Sequence, residues 1–422
     1  MKYFVFTLGC KVNSYESSAI ATTLENKGYI FDDKNPDVVI INTCSVTHVA
    51  DQKSRQHVRK FRKMYRNSIL VVMGCFAQSN TDYAKNELDI DILLGTDKRS
   101  LIPEYIEKFL ANHQKIIDVS DNPRRFLKYE ELNATSCSEN IRAYLKVQDG
   151  CDNFCSYCLV PYIRGKSRSR DFINTIDEAK KMVAKGYKEI VVSGIHVGWY
   201  GKDINTSFSN LIDALSDISG LYRLRISSIE LSEIDDEFLS LLKKKENIAK
   251  HLHLPLQSGS NTVLKAMGRK YTREQFINRV KGIKQEVPDV ALTSDVIVGF
   301  PGETEEDFMD TYRLLEECGF YQLHVFPYSV RKGTKAAGLP NQISPKVKAE
   351  RVKRLIELGT RLEKEYENRF LGHRLDVLFE KFDGEYNIGH TSNYLEIRVK
   401  SDKPMIGEVQ NILIESNNIV KS

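Results

Sequence analysis

Short apolar runs separated by helical patterns fill the first quarter of the chain. Strand patterns occur at residues 3–7, 37–42, 69–73 and 91–94. Helical periodicity occurs between them, at residues 13–28, 46–66 and 81–88. Strands that alternate with helices predict an open parallel sheet with right-handed crossovers. We therefore expect an N-terminal α/β domain over residues 1–111.

A polar stretch without clear periodicity covers residues 112–140 and predicts a linker. Strand patterns resume after it, at residues 141–147, 188–193, 221–227, 251–254, 293–298 and 321–326. Six such units, each followed by a helix or loop, predict a partial (β/α)6 barrel with its ligands at the carboxyl ends of the strands. Helical periodicity over 345–368 extends this domain to residue 368.

The last segment, residues 369–422, alternates apolar and polar positions at a period of two. Gly, Asp, Asn and Pro separate its runs, which predicts a small antiparallel β-barrel. From Leu371 onward it carries six Lys or Arg against eight Asp or Glu, so its attraction for phosphate should be weak. We expect an α/β protein of three domains.

Composition places the chain among globular proteins. It has 422 residues, of which 41% are hydrophobic and 28% charged, and a mean hydropathy of −0.37. No apolar stretch approaches the ~18 residues of a membrane span, and the N-terminus does not resemble a signal peptide. We expect a cytoplasmic protein without a membrane partner. In that reducing compartment, the eight cysteines are expected to be ligands, catalytic groups or core residues.

The strongest local signal is CDNFCSYC, which places Cys151, Cys155 and Cys158 just after the first strand of the barrel. Three thiolates can hold three irons of a cubane cluster and leave the fourth iron open. A closed zinc site would need a fourth protein ligand. The alternatives are a zinc knuckle and an electron-transfer cluster.

A second triad ends three N-terminal strands: FTLGC, IINTC and VVMGC supply Cys10, Cys44 and Cys75. Parallel strands end at one edge of a sheet, so these loops can present three thiolates to one ligand. The alternative is three buried structural cysteines. Cys137 and Cys318 lack such a pattern, and we expect a spare thiol and a small core residue.

On these motifs the chain resembles the radical SAM methylthiotransferase family over essentially its whole length. That family combines a three-cysteine domain, a radical S-adenosylmethionine (SAM) domain and a C-terminal TRAM domain. The stretch TLGCKVNSYES at 7–17 is similar to the subgroup (MtaB type) that modifies N6-threonylcarbamoyladenosine at position 37 of tRNA. The branches that act on N6-isopentenyladenosine or on a ribosomal-protein aspartate carry different residues after that cysteine, and both remain alternatives. A zinc-stabilised RNA-binding protein is the alternative from another class.

The resemblance implies two [4Fe-4S] clusters and SAM as cofactors. The cluster on Cys151, Cys155 and Cys158 would cleave SAM to methionine and a 5′-deoxyadenosyl radical. The cluster on Cys10, Cys44 and Cys75 would hold the sulfur that becomes the methylthio group at C2 of the base. The expected partners are a tRNA substrate and a flavodoxin or ferredoxin reductant, and we expect a monomer.

Further stretches are similar to family motifs: VSGIHVGWYG at 192–201, SSIEL at 227–231, HLPLQSGS at 253–260, VIVGFPGE at 296–303 and FPYSVRKGT at 326–334. Together with the aromatic residue before the third cysteine, they imply a set of residues near SAM or substrate: Tyr157, Gly194, His196, Glu230, Gln257, Ser258, Gly299 and Tyr328. The alternative is that the glycines serve turns and that Gln257 caps a helix.

Two basic clusters are candidates for phosphate contacts. The first falls at helical spacing in 52–66 and consists of Arg55, Arg59, Arg62 and Arg66. The second follows the three-cysteine loop and consists of Arg164, Lys166, Arg168 and Arg170. Because charge runs commonly mark only a solvated surface, that is the alternative for both.

Overall fold

The computed structural model describes residues 1–134 and 141–420 of the chain. Its N-terminal strands are β1 (Lys2–Thr7), β2 (Ile30–Phe31), β3 (Val38–Thr43), β4 (Ile69–Gly74), β5 (Ile92–Leu94) and β6 (Ile116–Asp118). The helices are α1 (Lys11–Asn26), α2 (His48–Met64), α3 (Cys75–Ser79), α4 (Thr81–Glu87) and α5 (Ile102–Asn112). All strand pairs are parallel, in the order β2-β1-β3-β4-β5-β6. The predicted open parallel sheet is confirmed.

The central strands β3 and β4 are wholly buried, because their apolar runs at 38–41 and 69–73 are covered on both faces. The sequence did not predict β2, β6 or α5. Part of the segment expected to be a linker instead joins the sheet as β6, and Leu132 and Ala134 pack into the core of the next domain. Cys137 lies outside the described residues.

The central domain is a partial barrel. Its strands are β7 (Arg142–Asp149), β8 (Arg168–Ser169), β9 (Glu189–Gly194), β10 (Arg223–Ile226), β11 (His251–His253), β12 (Ala291–Val298) and β13 (Gln322–Pro327). Its helices are α6 (Val160–Ile163), α7 (Phe172–Ala184), α8 (Phe208–Ser216), α9 (Asp236–Lys244), α10 (Asn261–Met267), α11 (Arg273–Glu286), α12 (Glu305–Cys318) and α13 (Pro345–Asn368).

Parallel pairing runs through β7, β9 and β10, and again through β11, β12 and β13. A bridge between Ser228 and His253 connects the two halves, which confirms the six-stranded partial barrel. The two faces of strand β12 have different surroundings. Val296 and Val298 pack with the core, whereas Asp295 and Ile297 point into the barrel and line a cavity there.

Four antiparallel strands form the C-terminal unit: β14 (Arg374–Phe382), β15 (Tyr386–Thr391), β16 (Glu396–Lys400) and β17 (Val409–Leu413). They follow the order β16-β15-β14-β17 and curl into a half-barrel. This sheet contacts the amino ends of the barrel strands, where Arg223 of β10 donates to the His390 carbonyl at 2.9 Å. Among the described residues, no helix combines the length and apolarity needed to cross a membrane.

Candidate active site

Three cysteines lie at the carboxyl edge of the N-terminal sheet. Cys10 precedes α1, Cys44 follows β3, and Cys75 begins α3 directly after β4. Gly9 has φ +113°, and a Cβ at this position would lie 2.9 Å from the Cβ of Cys44. Only glycine therefore allows the Cys10 loop to lie this close to Cys44.

Asn13 of α1 holds two of these loops together. Its Nδ2 donates to the Leu8 carbonyl at 2.7 Å and to the Thr43 carbonyl at 3.1 Å. Its Oδ1 accepts from Nη2 of Arg164 at 2.9 Å, which connects the first triad to the loop that carries the second. One buried amide thus fixes the spacing of the Cys10 and Cys44 loops.

The second triad occupies the loop after β7. The backbone N–H of Asn153 donates to the sulfur of Cys151, and that of Val160 to the sulfur of Cys158, both at 3.4 Å. The guanidinium of Arg269 donates to the sulfur of Cys155 at 3.6 Å. Hydrogen bonds to sulfur stabilise thiolates and tune iron–sulfur clusters, so this loop fits the ligands of such a cluster.

Burial raises the pKa of several of these thiols. It raises the pKa of Cys44 to about 11 and that of Cys158 to about 12. Burial also raises the pKa of Cys75, against the opposing charge of Arg164. Buried thiols become thiolates when a cationic metal centre binds them. The two sets of cysteines therefore suit the role of iron ligands better than that of free, reactive thiols.

Both triads open onto one cavity of about 270 Å³. All three N-terminal cysteines line it, together with Cys158 from the second triad. The remaining wall is largely apolar and includes Tyr157, Leu159, Val160, Ile163, Ile195, Gln257, Asp295, Ile297, Phe326 and Tyr328. Three of the residues expected near SAM or substrate, Tyr157, Gln257 and Tyr328, therefore face the space between the triads.

A second cavity of about 260 Å³ lies beside Cys155 and contains two further expected residues, His196 and Glu230. Glu230 forms an ion pair with Arg269. His196 places Nδ1 3.6 Å from the sulfur of Cys151. Burial alone would lower the pKa of His196, but Cys151 and Glu233 stabilise its imidazolium and raise that pKa to about 9.

The other three expected residues do not line either cavity. Gly194 ends β9 and packs against Gln148, while Gly299 follows β12 with φ +71°. Ser258 is fully buried, and its hydroxyl lies 3.3 Å from that of Thr311 on α12. The Ser258 side chain therefore fastens a helix to the barrel, and its proximity to SAM or substrate stays a prediction.

Three of the four residues in the second basic cluster were wrongly predicted to contact phosphate. Arg164, Arg168 and Arg170 are at most 4% exposed, because buried carboxylates pair with each of them. Only Lys166 of this cluster is exposed. Arg164 and Arg170 also contact Glu16 and Tyr15 of the N-terminal domain, and none of the three arginines is free to bind phosphate.

On α2, the basic stripe is only partly available to solvent. Arg62 forms a salt bridge with Asp91, and Arg55 lies over the ring of Tyr83. Arg59 and Arg66 remain exposed. These two, with Lys166, stay candidates for phosphate contacts.

Two groups of functional side chains were missed from the sequence. One is a buried ionic cluster built on Glu16, Arg99, Lys146, Asp149 and Arg164. The other is a histidine–aspartate–histidine set inside the barrel: His253, Asp295 and His324. The available signal for the second group was polar residues at alternate positions of strands whose other face is apolar.

Comparison with known proteins agrees with this geometry. Residues 145–315 match the Radical SAM superfamily, and residues 2–95 match the Uncharacterized protein family UPF0004. The threonylcarbamoyladenosine tRNA methylthiotransferase MtaB of Bacillus subtilis is 44% identical over 97% of this chain and 92% of its own length. The chain belongs to the radical SAM methylthiotransferases.

This methylthiotransferase has a second type of relative. The tRNA-2-methylthio-N(6)-dimethylallyladenosine synthase of Acetivibrio thermocellus is 36% identical over 98% of this chain and 88% of its own length. Among solved structures, the radical S-adenosylmethionine methyltransferase TsrM from Kitasatospora setae has a TM-score of 0.58 at 14% identity. That match covers 80% of the methylthiotransferase and 77% of the TsrM chain. At this identity the likeness concerns the fold alone.

Proposed function

We propose that this chain methylthiolates C2 of N6-threonylcarbamoyladenosine at position 37 of tRNA, forming 2-methylthio-N6-threonylcarbamoyladenosine. One observation carries the proposal: cysteines of both triads line a single cavity. Inserting sulfur into a base requires the sulfur source and the radical source to face the same substrate atom. This shared cavity meets that requirement.

C2 of adenine is neither acidic nor nucleophilic, so acid–base chemistry cannot exchange its hydrogen for sulfur. When bound, SAM and the two iron–sulfur clusters supply the radical, the methyl group and the sulfur. Cys151, Cys155 and Cys158 would hold one cluster, and the three N-terminal cysteines the other. The apolar wall of the cavity would exclude water from the reactive carbon. We propose that a cytoplasmic flavodoxin or ferredoxin supplies the electrons.

The choice of base rests on similarity and on charge. The Bacillus subtilis relative named for threonylcarbamoyladenosine is 44% identical. The dimethylallyladenosine synthase is 36% identical, as are two further relatives named for threonylcarbamoyladenosine. The two base substituents differ in charge, because the threonyl group ends in a carboxylate and the dimethylallyl group is a hydrocarbon. A site for the first substrate gains from a cation beside the cavity, whereas a site for the second does not.

Lys11 supplies this cation. The two arginines in the cavity wall are already paired, Arg164 with Glu16 and Arg331 with Asp51. Lys11 follows Cys10 directly, and among residues 1–134 and 141–420 no carboxylate lies within 4 Å of its ammonium group. Burial and the nearby charges of Arg225 and Arg142 lower the pKa of Lys11 to about 8, so it still carries its charge at neutral pH. Its position beside the first triad therefore favours a substrate that carries its own negative charge.

Replacing Lys11 with methionine should raise the KM for tRNA bearing N6-threonylcarbamoyladenosine by roughly 10- to 100-fold, the value of one charge-assisted hydrogen bond of ~1.5–3 kcal/mol. The turnover number should change much less, because the cysteines stay in place. Steady-state kinetics on an anticodon stem-loop measure both constants. Lys27→Met, an exposed lysine at the end of α1, is the matched control. An unchanged KM for Lys11→Met would rule out this role.

The function itself is tested by mass spectrometry of tRNA nucleosides. A strain lacking this chain should accumulate N6-threonylcarbamoyladenosine and lose its 2-methylthio form. Purified, reconstituted protein with SAM and a flavodoxin or ferredoxin reducing system should restore the modification in vitro. Loss of 2-methylthio-N6-isopentenyladenosine instead would assign the chain to the other branch, and no change in either nucleoside would refute the proposal.

A further inference from the structure

A group of three metal-binding side chains lies inside the barrel, apart from the cysteines. His253 of β11, Asp295 of β12 and His324 of β13 stand on three neighbouring strands. Their donor atoms all lie within 4.8 Å of one another. Because the three strands are adjacent and parallel, the backbone pairing fixes this arrangement without any loop.

Two of the three donor-atom separations match those around a metal ion. Nε2 of His253 lies 3.3 Å from Oδ1 of Asp295, and Nδ1 of His324 lies 3.4 Å from the same oxygen. Metal–ligand bonds of ~2.0–2.1 Å place neighbouring donors of a tetrahedral site roughly 3.3–3.4 Å apart. A charge-assisted hydrogen bond would draw a nitrogen and a carboxylate oxygen to about 2.7–2.9 Å. The observed gaps suit a bridging cation better than a shared proton.

Further side chains form hydrogen bonds with the histidine of this group. Nδ1 of His253 lies 2.9 Å from Oγ1 of Thr293, and Nε2 of His251 lies 3.2 Å from the same hydroxyl. Thr293 can accept from Nδ1–H of His253 while it donates to His251. This arrangement permits the tautomer that leaves Nε2 of His253 free to bind a metal, which is the usual role of a second-layer partner.

An ion could reach this site and retain open positions. The His253 side chain is 10% exposed, that of Asp295 32%, and that of His324 52%. Asp295 also lines the cavity between the two cysteine triads. Two imidazoles and one carboxylate leave at least one position for a water or carboxylate oxygen, as in catalytic zinc and non-haem iron sites.

We propose that His253, Asp295 and His324 bind one divalent transition-metal ion, with zinc or ferrous iron as the chemical class that two imidazoles and one carboxylate select. The site is separate from both cysteine triads, and it does not depend on which base the enzyme modifies. Asp295 places the site at the edge of the cavity, where a water or carboxylate oxygen would complete the coordination.

Zinc binding tests the site without any tRNA. Protein reconstituted to about eight irons per chain is equilibrated anaerobically with Zn²⁺ against a competing chelator. It is then desalted and analysed for zinc and iron by mass spectrometry. We expect one zinc per chain with no loss of iron. His324→Asn and Asp295→Asn should each weaken zinc binding by more than about tenfold, since even second-layer losses cost this much.

The control is His373→Asn, which removes an exposed histidine outside the barrel and should leave zinc binding unchanged. His324 is half exposed, so its replacement should leave the fold intact, and an unchanged far-ultraviolet spectrum checks this. Wild-type protein that retains no zinc would overturn the proposal. Zinc uptake matched by iron loss, or equal uptake by Asp295→Asn, would overturn it as well, because the ion would then occupy the cysteines or another site.

Discussion

Replacing Cys155 with alanine is expected to abolish both 5′-deoxyadenosine formation and methylthiolation. The two thiolates that remain, Cys151 and Cys158, cannot hold three irons of a cubane cluster. Iron after anaerobic reconstitution should fall from about eight to about four per chain. Liquid chromatography with mass spectrometry measures 5′-deoxyadenosine and the modified nucleoside in one incubation with SAM, tRNA and reductant.

The matching variant in the other triad, Cys44→Ala, should lose methylthiolation but still form 5′-deoxyadenosine. Cys44 ends β3 of the N-terminal sheet, whereas SAM cleavage is assigned to the loop after β7. Cys318→Ala is the control, since this cysteine is buried at the end of α12. It should retain about eight irons and both products. A Cys44 variant that forms no 5′-deoxyadenosine would show that the two clusters do not divide the reaction in this way.

The central strands were predictable from the sequence because they are buried on both faces. Residues 38–41 of β3 and 69–73 of β4 are continuous apolar runs, a pattern typical of strands covered on both faces. The edge strand β2 has only two residues, and Ile30 and Phe31 are 67% and 56% exposed, so no apolar pattern marks it. Strand β6 has only three residues and is defined by its backbone pairing with β5, so its own sequence does not reveal it.

The cysteines of the site could be found because their signal is local. Each N-terminal cysteine ends an apolar strand, and the other three lie within eight residues. The basic cluster after them was misjudged because its partners are distant in sequence. Arg164 donates to Glu16, 148 residues away, and a run of charges does not reveal such a partner.

Charged side chains cluster at the amino ends of the barrel strands, where the barrel meets the C-terminal sheet. Glu189 of β9 is fully buried and pairs with Arg142 at 2.7 Å, Arg225 at 2.9 Å and Arg223 at 3.2 Å. The same region contacts the C-terminal sheet, where Arg142 reaches Glu380 at 2.7 Å. Each such group is buried only in the assembled chain, so the sequence pattern of one domain cannot account for it.

Glu16 is the centre of the ionic cluster between the N-terminal domain and the barrel. It is fully buried and pairs with Arg164 at 2.7 Å, Lys146 at 2.8 Å and Arg99 at 3.0 Å. Burial alone would raise the pKa of Glu16, but these three cations hold it below its usual range. The carboxylate therefore stabilises the fold at neutral pH, and this contribution is lost as the pH falls below the unfolded pKa of ~4.3.

Glu16→Gln should destabilise the folded chain by about 1.5–3 kcal/mol at pH 7, the value of hydrogen bonds to a charged group. It removes the charge that three buried cations share, while Asp149 still pairs with Arg164 and Lys146, and Glu130 with Arg99. A loss of this size lowers the midpoint of thermal unfolding of the 422-residue chain by about 2–3 °C, at ~2.1 cal/mol/K of unfolding entropy per residue. Anaerobic thermal scans at one fixed rate compare the variant with wild type, since unfolding of a cluster protein is irreversible. Glu87→Gln, on an exposed position of α4, should melt within about 1 °C of wild type, as surface changes of ~0.5 kcal/mol or less do.

Glu16→Gln should also release iron from the N-terminal triad first. Arg164 joins Glu16 to Asn13, and Asn13 holds the Cys10 and Cys44 loops together. When Arg164 loses its main partner, this connection loosens, while the backbone hydrogen bonds around Cys151 and Cys158 are unaffected. Two measurements after mild heating separate the clusters. Iron content falls when either cluster is lost, whereas 5′-deoxyadenosine formation falls only when the cluster on Cys151, Cys155 and Cys158 is lost. Equal loss of both would show that the ionic cluster supports the whole fold and not the first triad in particular.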